Sequence, residues 1–115
     1  MMAVPGAVAA PPAQRGSEQI ADRVYRRIAA RAAADALAPA WRPRPEPVPQ
    51  PRASALYTHG RVRLTLHVEL PFPCDVAMLA RTVRDAACAR VAELTGTPVA
   101  SAEVIVDRLH PAGLR

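Results

Sequence analysis

The residues that could act as nucleophile and base in this chain are two cysteines and three histidines. The cysteines are Cys74 and Cys88, and the histidines stand at positions 59, 67 and 110. A cysteine nucleophile needs a histidine within reach and an acid that orients it. The histidines nearest to Cys74 in sequence fall on a predicted turn and on a strand face that points away from the helix carrying the cysteines. We therefore predict that the protein is not an enzyme and has no catalytic residues.

Cys74 and Cys88 are predicted to be ordinary thiols. Cys74 stands at the start of a predicted helix, where the pKa of a thiol can be lowered, but we expect a structural or surface residue. The helix between the two cysteines separates them by roughly 21 Å. A disulfide requires Cα atoms within about 7 Å of each other, so we expect no bond between them.

No sequence pattern indicates a metal or a cofactor. The cysteines and histidines show neither the C-x-x-C nor the H-x-x-x-H spacing of metal ligands. The five glycines are isolated, so there is no Walker loop and no G-x-G-x-x-G dinucleotide motif. We predict no metal site and no cofactor.

Arginine carries all of the basic charge. The chain has 15 arginines, no lysine and a formal net charge of +5, a composition that partly reflects GC-rich codons. One flank of the predicted first helix carries a basic row: Arg23, Arg26, Arg27 and Arg31. Such a row could bind the phosphates of nucleic acid or of lipid headgroups, although a solvated charged face is the more common arrangement. A nucleic-acid-binding module that uses this basic helix is our alternative prediction for function.

The hydrophobic residues predict one small core. Half of the 115 residues are hydrophobic, but 25 of them are alanines, and Val, Ile, Leu, Met and Phe together make only 28. No apolar run approaches the roughly 20 residues of a membrane-spanning helix, and the first residues lack the basic start of a signal peptide. We expect a single cytoplasmic domain without a transmembrane segment, whose contact with the inner face of the membrane would be peripheral.

The first half of the chain is predicted to hold one helix between two irregular segments. Residues 1–16, rich in Ala, Pro and Gly, are predicted to be a disordered leader. Residues 17–38 are predicted to form the helix, because apolar residues recur every four positions from Ile20 to Ala32. Residues 39–53 alternate proline with other residues over much of their length and predict an extended spacer. We expect both irregular segments to be dispensable for folding.

Residues 54–110 are predicted to complete the domain with a β-hairpin, a helix and a final strand. Apolar and polar residues alternate over 61–70, which predicts a strand with one buried and one open face. A short strand at 54–58 precedes it across a two-residue turn. A helix with one apolar stripe is predicted over 74–96, and the last strand over 99–109.

These elements predict an α/β fold, a two-layer α-β-β-α-β sandwich. The second helix is long enough to return the chain across the sheet, so the last strand should run parallel to the alternating strand. Both helices are needed to cover one face of a small mixed three-stranded sheet, which leaves the other face bare. We predict that this face binds a partner through Tyr57, Arg63, Thr65, His67 and Ile105. His67 would add sensitivity to pH, because histidine changes charge near neutrality.

Several blocks of the sequence, together about 80 residues, resemble the bacterial alkaline shock protein family, also called envelope stress response proteins. Ser17 to Ala33 resembles the family's opening helix, I-A-(D/E)-x-V…I-A-x-x-A-A, and Arg61 to Glu69 resembles its alternating strand. Val76 to Gly96 is similar to the V-A-R-x-V-R…E-(M/L)-T-G helix, and Val104 to Asp107 to the closing V-x-V-D strand. The departure is the proline-rich spacer, which stands where the family usually has a strand.

The resemblance implies a small, non-catalytic protein of the envelope stress response. Members of the family self-associate, and some are held at the membrane by a separate membrane-anchored protein. By this resemblance the chain would act by self-association, as a homo-oligomer or with a paralogue, or as an adaptor to a membrane-anchored partner. The family supplies no catalytic residues to carry over to this sequence.

Overall fold

Two helices and three strands make up the part of the chain that the computed structural model describes, which is the backbone of residues 12–113 and the side chains of residues 22–113. In chain order they are α1 (Pro12–Trp41), β1 (Arg52–Thr58), β2 (Arg61–Phe72), α2 (Val76–Thr95) and β3 (Val99–Pro111). The predicted α/β class and the α-β-β-α-β order are confirmed.

The three strands form a mixed sheet in the order β1-β2-β3, with the long alternating strand in the centre. β1 and β2 are antiparallel, and a two-residue turn joins them. Both turn residues have a left-handed backbone, with φ of 53° at His59 and 77° at Gly60. A turn of this kind matches the right-handed twist of the strands on either side. β3 pairs with β2 in parallel, as the helical crossover predicts.

The second helix begins and ends at residues suited to those positions. The side chain of Asp75 accepts a hydrogen bond of 3.0 Å from the backbone N–H of Met78, which satisfies a donor that the helix start leaves free. Gly96 ends the helix with a left-handed φ of 73°, a conformation that a side chain would disfavour. Between these caps, one stripe of α2 is buried against the sheet: Val83, Ala87 and Val91.

The core lies between the sheet and the two helices. The inward residues of β2 are at most 1% exposed: Val62, Leu64, Leu66, Val68 and Leu70. α1 meets them with small residues, among them Ala29 and Ala33, both fully buried, and closes the core with Leu37 and Trp41. Alanine lets the helix approach the sheet closely, so an alanine-rich chain packs a core from few large side chains.

The first helix is longer than predicted and is rotated relative to the predicted apolar stripe. It begins at Pro12 and ends at Trp41, passing through Pro39. The predicted leader is therefore helical over its last residues, and its first eleven lie outside the described residues. Val24, predicted in the buried stripe, is 42% exposed, and its neighbour Tyr25 is buried instead. The large buried side chains of Tyr25 and Trp41 determine which side of this alanine-rich helix faces the sheet.

The proline-rich segment is not a free spacer. Its first residues belong to α1, Trp41 is 1% exposed within the core, and Pro51 is buried next to the start of β1. β1 itself begins at Arg52, before the predicted strand. Prolines at alternate positions remove the backbone donors that a central strand needs, but they do not prevent the side chains between them from packing.

Candidate functional site

The side of the sheet turned away from the helices carries most of the predicted interaction residues. Residues opposite one another in adjacent strands share a face of the sheet. His67 of β2 lies beside Ile105 of β3, and Thr65 lies beside Glu103. Arg63 has the same parity in β2 and is exposed. The structure therefore brings Arg63, Thr65, His67 and Ile105 together, on a surface that we call the open face.

Tyr57 does not belong to the open face, and its predicted placement there is wrong. It lies opposite Val62, whose side chain is fully buried. Its ring stacks on the ring of Tyr25 in α1, with centroids 6.0 Å apart and planes inclined by 18°. Leu56, its neighbour in β1, faces outward instead and is 55% exposed. The two-residue hairpin turn fixes this parity, because it sets the register of β1 on β2.

Two side chains of the open face meet at the carboxylate of Asp107. Nδ1 of His67 lies 3.1 Å from Oδ1 of Asp107, and Nη2 of Arg52 lies 3.1 Å from Oδ2. Asp107 is the extra residue of a β-bulge, where the register of β3 on β2 shifts between Val68 and Glu69. The hydrogen bond with His67 lowers the pKa of Asp107 most, partial desolvation opposes it, and Arg52 lowers the pKa further.

Charges of opposite sign meet on the open face, because the side chain of Arg52 extends across the central strand to Asp107. Arg52 stands on β1, whereas the carboxylates of Glu103 and Asp107 stand on β3. Two apolar residues lie among these charges, the exposed Leu56 on β1 and the half-buried Ile105 on β3. An exposed ion pair between the two edge strands can exchange partners with the same pair of a second copy turned through 180°.

The predicted basic row of α1 is exposed at all its positions: Arg23, Arg26, Arg27 and Arg31. Arg27 and Arg31 reach a groove between α1 and α2, where Arg90 of α2 joins them. Ile28 and Leu94 form the apolar part of this groove, which has a volume of about 200 Å³ and which we call the helix groove. Nothing in the sequence pattern of α2 indicated that Arg90 lies near the basic row, because tertiary packing brings the two helices together.

A cluster around Arg44 attaches the proline-rich segment to the end of β3, and sequence analysis missed it. Arg44 donates hydrogen bonds to the carbonyl oxygens of His110, at 3.2 Å, and Pro111, at 2.8 Å. It also pairs with Glu46 and lies 5.6 Å from the centre of the Trp41 ring. Backbone hydrogen bonding and the pairing with Arg44 lower the pKa of Glu46. The available signal was the position of the only tryptophan of the chain, inside a segment predicted to be unfolded.

An apolar groove of about 540 Å³, the end groove, lies where α1 ends and α2 begins. Its exposed apolar side chains include Phe72 and Met78, each 44% exposed. Cys74 also lines it, and burial together with the charge of Asp75 raises the pKa of the Cys74 thiol. Burial likewise raises the pKa of the Cys88 thiol, with a further contribution from a nearby carboxylate. Both cysteines are free, and neither environment activates a thiolate at neutral pH.

Metal-ligating side chains are dispersed over the described part of the chain. Within residues 22–113, no three of the His, Cys, Asp and Glu side chains come close enough together to hold a metal ion. The helices that the structure describes also include none that is long and apolar enough to cross a bilayer.

Comparison with known proteins does not assign a family. No protein-family model matches the chain, and no curated protein sequence matches it. Solved structures of MamM CTD variants have a similar arrangement of elements. One double variant is 16% identical with a TM-score of 0.38, over 74% of this chain and 95% of that chain. A nickel form is 17% identical with a TM-score of 0.37, over 72% of this chain and 99% of that chain. A likeness at this level concerns the fold and says nothing about function.

Proposed function

We propose that this chain is a non-enzymatic protein that acts by self-association, with a second copy seated on the open face. The observation that carries the proposal is the unequal covering of the sheet. Both helices pack on one face, and the other face bears the exposed Leu56 and the half-buried Ile105. Apolar side chains surrounded by charged groups are typical of a protein–protein contact.

The arrangement of charge on the open face favours a second copy as the occupant. When a two-fold axis runs parallel to the strands, β1 of one copy lies over β3 of the other. Arg52, whose exposed side chain pairs with Asp107 of its own copy, then comes close to Glu103 and Asp107 of the other copy and can exchange one carboxylate for the other. With the two-fold axis perpendicular to the strands in the plane of the interface, each strand would lie over the same strand of the other copy. Like charges would then meet. The parallel axis is therefore the arrangement we expect.

The resemblance to alkaline shock proteins supports a finer proposal, in which this self-association serves the envelope stress response. In that role the assembled protein is an adaptor on the cytoplasmic side of the membrane, held there by a membrane-anchored partner. A paralogue with the same open face could take the place of the second copy.

The mass of the protein in solution tests the self-association. We expect light scattering to show an oligomer for the parent and a monomer for Ile105→Glu, because the new carboxylate adds a third negative charge between Glu103 and Asp107. Circular dichroism checks that the variant keeps its fold. Val48→Glu is the matched control, since Val48 is 40% exposed and lies outside the sheet. A monomeric parent, or an Ile105→Glu variant that assembles like the parent, would show that the open face is not the interface.

A second experiment tests the stress assignment separately. A tagged copy is purified from the native cells grown with and without alkaline or cell-wall stress. We expect the amount of protein to rise under stress and a membrane protein to co-elute in stoichiometric quantity. An unchanged amount would contradict the stress assignment and leave the self-association intact. Nucleic acid that co-elutes at low salt and is lost steeply as salt rises would favour the alternative function.

A further inference from the structure

The helix groove combines three arginines from two helices at one place on the surface. α1 and α2 run antiparallel, as the 2.8 Å hydrogen bond between Tyr25 Oη and Thr97 Oγ1 indicates at one end. Near this end, Arg27 and Arg31 project from successive turns of α1, and Arg90 comes from α2. Three arginines that line one groove can reach an anion with several oxygens bound there, because each guanidinium can donate two parallel hydrogen bonds.

Two of the three arginines of the helix groove have carboxylate partners, and both ion pairs are exposed to solvent. Asp35 lies 3.3 Å from Arg31, and Glu93 lies 3.9 Å from Arg90, and these carboxylate side chains are 53% and 73% exposed. Exposed ion pairs of this kind contribute little and are screened by salt. A multivalent anionic surface can therefore displace them from the arginines.

Apolar side chains stand beside these arginines and face water. Leu94, which lines the groove, is 60% exposed, the largest exposure among the large apolar residues described, and Val24 is 42% exposed one turn before Ile28. Exposed leucine and valine next to arginine match the boundary between headgroups and acyl chains in a bilayer. Single-stranded nucleic acid would instead call for aromatic side chains on which bases stack, and none of the residues lining the groove is aromatic.

We propose that the helix groove binds the surface of an anionic phospholipid bilayer. Arg27, Arg31 and Arg90 bind lipid phosphates. Leu94 and Val24, beside these arginines, enter the boundary between the headgroups and the acyl chains. This surface lies on the helical layer, on the opposite side of the molecule from the open face, so the inference does not depend on the proposed self-association. It makes membrane contact a property of the chain itself.

Sedimentation with lipid vesicles tests the proposal. We expect the full chain to bind vesicles of phosphatidylcholine mixed with phosphatidylglycerol at low salt and not to bind pure phosphatidylcholine. An arginine near an anionic surface contributes about 1 kcal/mol, so the triple variant Arg27→Gln, Arg31→Gln, Arg90→Gln should bind about a hundredfold more weakly. The matched control carries the same loss of charge at exposed arginines elsewhere: Arg42→Gln, Arg61→Gln and Arg81→Gln. It should keep most of the affinity.

The apolar component has its own variant. Leu94→Asn should weaken binding about tenfold, as expected when one leucine side chain no longer enters an apolar phase, whereas Val48→Asn should not. Light scattering should give the same mass for the triple variant as for the parent, which separates this surface from the open face. Equal binding to both vesicle types, or a triple variant no weaker than its control, would overturn the proposal. Tighter binding to a fluorescent single-stranded oligonucleotide than to vesicles would overturn it in favour of nucleic acid.

Discussion

Asp107 connects the two edge strands across the central one. Arg52 of β1 and His67 of β2 both reach its carboxylate, and a bulged position in β3 places that carboxylate within their reach. Because the pKa of Asp107 is lowered in the folded protein, its charged form favours folding above the ordinary aspartate pKa of about 3.9. This contribution is lost as the pH falls through the lowered value. The contact around Asp107 therefore persists into moderately acidic solution.

The two neighbours of Asp107 should contribute unequally to its titration. His67→Gln is expected to raise the pKa of Asp107 more than Arg52→Gln does, because the hydrogen bond with His67 is the largest cause of the shift. The pH dependence of the side-chain carboxyl 13C resonance of Asp107 measures both effects. A larger rise in Arg52→Gln would contradict the assignment.

The residues of β1 show a strand whose buried face could not be predicted from the sequence alone. The strand carries Leu56 and Tyr57 side by side, so alternation alone allows either to face the core. The register of β1 on β2 and the stacking of Tyr57 on the ring of Tyr25 decide between them. Both depend on contacts between elements, which the pattern of one strand does not report. In β2, by contrast, unbroken alternation predicted which residues are buried, and the structure agrees at every position from Val62 to Leu70.

At the scale of elements, the end of α1 and the segment after it act together as one side of the core. Trp41 closes the core, and Arg44, three residues later, contacts its ring and the end of β3. Proline alternation predicted an extended backbone but could not predict that it packs, because the periodicity of a sequence reports on regular elements and not on irregular ones.

Truncation of Trp41 should therefore be costly. Trp41→Ala is expected to lower the free energy of unfolding by roughly 3–5 kcal/mol, as for other buried aromatic residues. Trp41→Phe should cost clearly less, because it keeps a ring and removes an N–H that is buried without a hydrogen-bond partner among the described residues. Urea unfolding followed by circular dichroism measures both variants.

The prolines themselves provide the control for this segment. Pro43, Pro45 and Pro47 are exposed, so replacing all three by alanine should change the free energy of unfolding by no more than about 1 kcal/mol. A loss as large as that of Trp41→Ala would mean that the backbone of the segment, and not the indole ring, holds the end of the core together.

The central strand offers the most direct test of the sheet register. Leu66 is fully buried and lies opposite Ala53 of β1 and Val104 of β3. Leu66→Ala should lower the free energy of unfolding by roughly 2–5 kcal/mol, whereas Val48→Ala, at an exposed position outside the sheet, should change it little. Thermal unfolding measures the pair, and equal melting temperatures would contradict the register.

At the scale of the whole molecule, the two layers give the protein two different sides. Hydrophobic periodicity predicted both layers and the parallel crossover, because each helix and strand must bury its apolar side somewhere. It could not predict the helix groove, which exists only because two helices distant in sequence lie side by side. The sheet side and the helix side are thus candidate surfaces for different partners, a second copy and a lipid surface.

Because the helices cover one side of the sheet only, two copies joined through their open faces point their helix grooves in opposite directions. A flat bilayer can touch only one of the two grooves, so the other is free to hold a second bilayer. The pair is then a bridge, and the parent should cluster anionic vesicles and raise the turbidity of their suspension. Ile105→Glu should bind the same vesicles without clustering them, since a single copy has one groove. If Ile105→Glu also clusters vesicles, bridging does not depend on self-association. If only the parent clusters them, this small chain acts as a spacer that sets the distance between two membranes.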